Sequence, residues 1–142
     1  MLATNDISIK DLGLIWCGNL IGCGVWATLL SFTDWGYKLV EPAAAIVQTR
    51  ITNSLIDNMV LGICCGLLMY IAVNIYKSHP WATVMCVAAF ILAGFNHCVA
   101  DMFYFFVGTT TEQLLPTIGA LTATTIGNVI GCNIISFVKR VA

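Results

Sequence analysis

Apolar residues gather in four runs, at about 12–32, 57–77, 81–107 and 116–138. Each reaches or approaches the ~20 residues that a helix needs to cross a bilayer. Polar, turn-forming clusters separate them: Thr33-Asp34-Trp35-Gly36, then Ser78-His79-Pro80, then Gly108-Thr109-Thr110-Thr111-Glu112. The stretch 42–56 opens with Pro42 and mixes Ala44, Ile46 and Val47 with Gln48, Arg50 and Asn53. It reads as a short interfacial helix or as the start of the second span. The third run is interrupted near 94 by Gly94-Phe95-Asn96-His97-Cys98-Val99-Ala100-Asp101. The pattern predicts an all-α membrane protein: one domain over 1–142, a bundle of four transmembrane segments, the third of them broken.

Composition agrees. The 142 residues are 59% hydrophobic and 9% charged, against about 25% charged in a soluble domain. A formal net charge of −1 leaves no basic patch to neutralise phosphates, so nucleic acid is excluded as a partner and the lipid bilayer takes its place. Residues 1–10 are polar, with Lys10 their only basic group, and lack the basic-then-apolar order of a secretory signal. The first run is therefore expected to be retained as a span. Four spans put both termini on one side, with Lys10, Lys77, Lys139 and Arg140; Lys38 and Arg50 lie on the other. That excess predicts a multi-pass protein of the cell membrane with cytoplasmic termini.

Seven cysteines (Cys17, Cys23, Cys64, Cys65, Cys86, Cys98, Cys132) fall inside apolar stretches, without a Cys-x-x-Cys pair. They read as small polarisable core residues. Together with two histidines they complete no zinc spacing, and neither metal nor cofactor is expected.

One hexapeptide recurs. Gly18-Asn19-Leu20-Ile21-Gly22-Cys23 returns as Gly127-Asn128-Val129-Ile130-Gly131-Cys132. Each copy is a small-xxx-small face that lets helices approach closely, with an Asn able to hydrogen-bond across the contact. Gly62 and Gly66 form a third such face. Coincidence among glycine-rich spans is the plain alternative. If the copies are equivalent helices of two repeats, spans two to four form one three-helix unit and span one ends another. Transporter folds are often built this way, with the substrate site between repeats and broken helices on it.

An imidazole, an amide and a carboxyl beside a glycine are costly at membrane depth and are tolerated mainly where they line a cavity or a solute path. The segment Gly94–Met102 resembles the signature of the formate/nitrite transporter family, G-[FY]-[ED]-H-x-[VI]-A-N-M. The two Gly-Asn-x-Ile-Gly helices resemble the ends of that family's inverted repeats. The similarity covers about 8–138 and corresponds to the family's third to sixth helices. It implies an aquaporin-like inverted-repeat fold that is N-terminally incomplete here, lacking the two helices that carry the opposing broken segment. It also implies a homopentamer with a pore in each protomer, passing small monovalent weak-acid anions such as formate or nitrite, with protons as partners.

Within that resemblance His97 is the central pore histidine. An imidazole with a reference pKa of about 6.5 can exchange protons near neutrality, and a protonated weak acid enters hydrocarbon far more cheaply than its anion. The alternative is a structural histidine bonded to carbonyls freed by the helix break. Phe90 lies two helical turns earlier, on the same face one step along the axis; the family has a constriction aromatic there, though spacing alone fits a packed core ring. Arg50 stands where the family has an anion-drawing lysine, and a snorkelling interfacial arginine is its plain alternative. Two departures stand out. Asn96 replaces an acidic residue, removing a charge that would favour imidazolium. Asp101 replaces Asn and either restores that charge or bonds exposed backbone N–H groups. The expected pathway is thus His97, Phe90, Asn96, Arg50 and Asp101, with Gly18, Asn19, Gly22, Gly127, Asn128 and Gly131 in helix packing. An enzyme built on His97 and Asp101 lacks an accompanying nucleophile or metal set. The rival to transport is a non-conducting structural remnant.

Overall fold

The computed structural model describes residues 8–76 and 78–141, with side chains described to Val138. The polar segment 1–7 and the basic side chains at 77, 139 and 140, which entered the charge argument, lie outside the described residues. Six α-helices and a short 3-10 turn at Thr111–Gln113 make up the described chain: α1 (Ile9–Ser31), α2 (Asp34–Thr52), α3 (Leu55–Ile75), α4 (Pro80–Leu92), α5 (Cys98–Gly108) and α6 (Leu114–Val141). Three of the helices are long and apolar enough to cross a membrane; α4 and α5 are apolar but shorter. The protein is an all-α membrane protein.

Capping chemistry sets several boundaries. Ser8 with Asp11 opens α1 and Ser54 with Asp57 opens α3, each by a reciprocal capping box. Thr33 caps α2 by accepting from the Gly36 N–H. This corrects the expectation that 33–36 is a turn followed by a helix from Pro42. The same Thr-Asp pair that suits a turn also suits a helix N-terminus, and Pro42 sits inside α2. Gly36 is required there, because a Cβ would collide with the Leu30 carbonyl.

The tightest pair is α3 with α6. A Cβ on Gly62 would stand 2.7 Å from the Thr124 carbonyl, and one on Gly127 or Gly131 would strike the carbonyl of Met59 or Ile63. The register advances in the same direction on both helices, so they run parallel with their backbones in near contact. The first hexapeptide copy behaves differently. A Cβ on Gly18 or Gly22 would meet nothing within 4 Å, and the Asn19 side chain makes no hydrogen bond among the described residues. The expected packing role of Gly18, Asn19 and Gly22 is not met within this chain, because α1 turns another face inward. Trp16, Leu20 and Cys23 pack on the core of Val47, Met102, Phe105, Ala120 and Leu121. That core joins α2, α5 and α6.

A second close approach positions the site. A Cβ on Gly108 of α5 would stand 2.5 Å from the Ala44 nitrogen of α2. The two helices run antiparallel from there, which carries Arg50 to Asp101.

Candidate functional site

The third apolar run is broken where Gly94 adopts φ +70°, a conformation that side chains disfavour. The Gly94 N–H donates to the Ile91 carbonyl at 3.1 Å and the Phe95 N–H to the Phe90 carbonyl at 3.0 Å. This pair of bonds is the Schellman arrangement that closes a helix C-terminus. Residues 95–97 then run non-helically until α5 starts at Cys98.

Three amides fasten this irregular segment. Asn128 of α6 donates to the Asn96 carbonyl at 2.8 Å and to the Gly62 carbonyl at 2.9 Å, and accepts from the Cys98 N–H at 3.0 Å. Asn96 is fully buried and donates to Asn58 Oδ1 at 2.9 Å; Asn58, also fully buried, donates to the Arg50 carbonyl at 2.8 Å. Backbone groups exposed by the break are thereby satisfied inside the bundle, as the bilayer interior demands. Asn96 was expected on the pathway; it faces the interface of α3 and α6 instead, because the extended backbone turns alternate side chains to opposite sides.

His97 is the N-cap of α5, its Nδ1 accepting from the Ala100 N–H at 3.4 Å. The bond goes to an N–H at a helix start, not to freed carbonyls. With Nδ1 an acceptor, the neutral ring carries its proton on Nε2. The Phe90 ring stacks on His97, centroids 5.4 Å apart and planes inclined by 23°. An unbroken helix would separate the two residues by about 10 Å along its axis; the turn at Gly94 brings them together.

On the other side, Arg50 Nε meets Asp101 Oδ1 at 3.3 Å, with only 11% and 1% of the two side chains exposed. Among the described residues Asp101 makes no ion pair with His97 and accepts from no backbone N–H; it holds Arg50. Its Oδ2 has no hydrogen-bond partner among the described residues. Arg50, Phe90, Phe95, His97, Asp101 and Tyr104 face one open-sided cavity of about 310 Å³. Four of the five expected pathway residues are thus brought together, and Asn96 is not.

Asn58, Phe95 and Tyr104 were missed. Asn58 carried a usable signal, as one of two amides, with Asn74, within the apolar stretch Leu55–Ile75. Phe95 stands at the aromatic position of the signature, which was its signal; Tyr104 carried none, since nothing separates it from ordinary apolar residues before the break is in place. Among the described residues no group of three or more His, Cys, Asp or Glu could hold a metal ion.

The chain is 26% identical over 124 residues to the formate channel FocA of Haemophilus influenzae, an alignment that takes in 78% of this chain and 42% of that protein. The chain thus spans less than half the length of this relative. No solved structure matches it. The family model described as formate/nitrite transporter matches residues 4–140, and the chain belongs to that family.

Proposed function

We propose that the protein is a membrane channel or transporter for small monovalent weak-acid anions, formate first and nitrite next. The observation that carries this reading is the cavity in which His97, Phe90 and the Arg50–Asp101 pair meet beside a helix break. Family membership and the likeness to a formate channel support it.

In this reading α4, the break and α5 together make one crossing, and the solute passes the break. The stacked Phe90 ring narrows the path and favours a dehydrated solute over a hydrated ion. His97, tied at Nδ1, offers Nε2–H to the solute's oxygen. Once solvent has added a proton to make the ring an imidazolium, transfer of the Nε2 proton to the anion gives the neutral acid and returns the ring to its neutral form. Arg50 lies on the same wall and is restrained by Asp101. The protein works as a homopentamer in the cell membrane with both termini in the cytoplasm, and its partners are the anion, protons and lipid.

Uptake of radiolabelled formate into proteoliposomes tests this. Saturable uptake that falls at least tenfold in His97→Phe and in Phe90→Trp is expected; unchanged flux in both variants contradicts it. A second reading, a non-conducting piece, draws on the uncovered Gly18–Gly22 face and the open side of the cavity. Absence of any uptake by the wild-type protein favours that one.

A further inference from the structure

Two buried side-chain oxygens that can only accept stand without a donor: Asn96 Oδ1 and Asp101 Oδ2, on residues 0% and 1% exposed. Turning the amide does not mend this. The Arg50 carbonyl only accepts, so it fixes Asn58 with Nδ2 toward it; Asn58 Oδ1 then takes the Asn96 Nδ2, and Asn96 Oδ1 is left over. His97 is the N-cap of α5, which puts Asn96 and Asp101 at N′ and N4, two positions whose side chains meet across a helix start. Two acceptors at one dry contact call for a proton between them. Asp101 is also the one buried carboxyl among the described residues.

Its other partner, Arg50, binds it through Nε. The Nη groups of Arg50 have no acceptor among the described residues, and Arg50 lines the cavity. An anion bound there shares one guanidinium with the Asp101 carboxylate, and two negative charges so close in a partly dry site repel strongly. A proton on Asp101 Oδ2 removes that repulsion and supplies the donor that Asn96 Oδ1 lacks.

We propose that Asp101 takes up a proton when an anion binds at Arg50 and releases it when the anion leaves. The proton comes from water at the open side of the cavity, forms an O–H bond on Oδ2 and is donated to Asn96 Oδ1. The empty site holds guanidinium and carboxylate; the occupied site holds guanidinium, anion and neutral acid, so its net charge is unchanged. By reciprocity the anion binds more tightly as pH falls. Around Asp101 the charged or titratable groups are Arg50 of α2, Cys65 of α3, Cys98 and Tyr104 of α5, and His97 at the break; α6 presents Thr124. The inference deepens the transport reading and rests on it.

Infrared difference spectra of the purified protein with and without formate test this. Expected in wild type is a formate-induced C=O stretch of a protonated carboxyl that moves in heavy water. It stays in place when the formate carries a heavy carbon and shifts when the aspartate side chains do. A pH dye in weakly buffered solution shows uptake of about one proton per bound formate. Asp101→Asn loses both the band and the uptake, whereas His97→Asn keeps both. Absence of the band from formate-bound wild type, a band indifferent to the aspartate label, or uptake kept by Asp101→Asn overturns the assignment. Should Asp101→Asn not fold, the aspartate label decides in wild type. Formate flux into proteoliposomes is read in parallel. The band without flux removes the transport reading and leaves the proton linkage; flux without the band does the reverse, and a wild type that binds no formate overturns both.

Discussion

At position 128 a single amide meets three main-chain groups: the Gly62 carbonyl of α3, the Asn96 carbonyl in the break and the Cys98 N–H of α5. Asn128→Leu leaves all three without that partner, so a loss of at least about 2 kcal/mol is expected in chemical unfolding of the protein in mixed micelles. His97 has two duties that substitution can separate. Asn is a good N-cap, so His97→Asn keeps α5 closed, and stability within about 1 kcal/mol of wild type is expected while formate flux falls at least tenfold. Equal loss of stability and flux would mark a capping residue only. At this scale the sequence was informative where a residue is unusual for its surroundings. Gly94, His97 and Asp101 are conspicuous in an apolar run. Their partners were not, because the contacts joining Asn96 to Asn58 and Arg50 to Asp101 span 38 and 51 residues. Hence Asp101 was assigned to the histidine or the backbone, when the antiparallel passage of α2 beside α5 delivers it to Arg50.

Helix packing separates the two hexapeptide copies. Gly131→Ala drives a methyl into the Ile63 carbonyl, and overpacking of this kind costs about 1–3 kcal/mol. Gly18→Ala meets open space and is expected to change the stability of this chain by less than about 0.5 kcal/mol. The contrast, read from the unfolding midpoints of both variants, tests the parallel seating of α3 on α6. Equal effects would contradict it. The sequence marked both faces as close-packing because the motif is the same; only the fold decides which one receives a neighbour. Boundaries were legible where apolar length dominates, as in α3. The start of α2 was not, because Thr33 and Asp34 serve a turn or a helix equally well and Pro42 drew the expected start inward.

Across the whole molecule, the cavity exists because α2, α4, the break and α5 converge on it, while α3 and α6 grip the break from behind. A break without that grip would leave bare peptide groups in hydrocarbon. The all-helical membrane class was legible from apolar run length alone. The cavity was legible only through the motif around His97, since its other walls come from distant segments. Whether solute passes through it is the central question, and Ala100 offers a direct handle: it lines the cavity and its methyl makes no polar contact. Formate flux through Ala100→Cys is measured before and after treatment with a methanethiosulfonate. Mass spectrometry confirms that the introduced thiol is modified, and wild type is treated alongside. The account predicts flux that falls at least tenfold on modification of Ala100→Cys and returns on reduction, while wild type is unaffected. Undiminished flux through fully modified protein would contradict it.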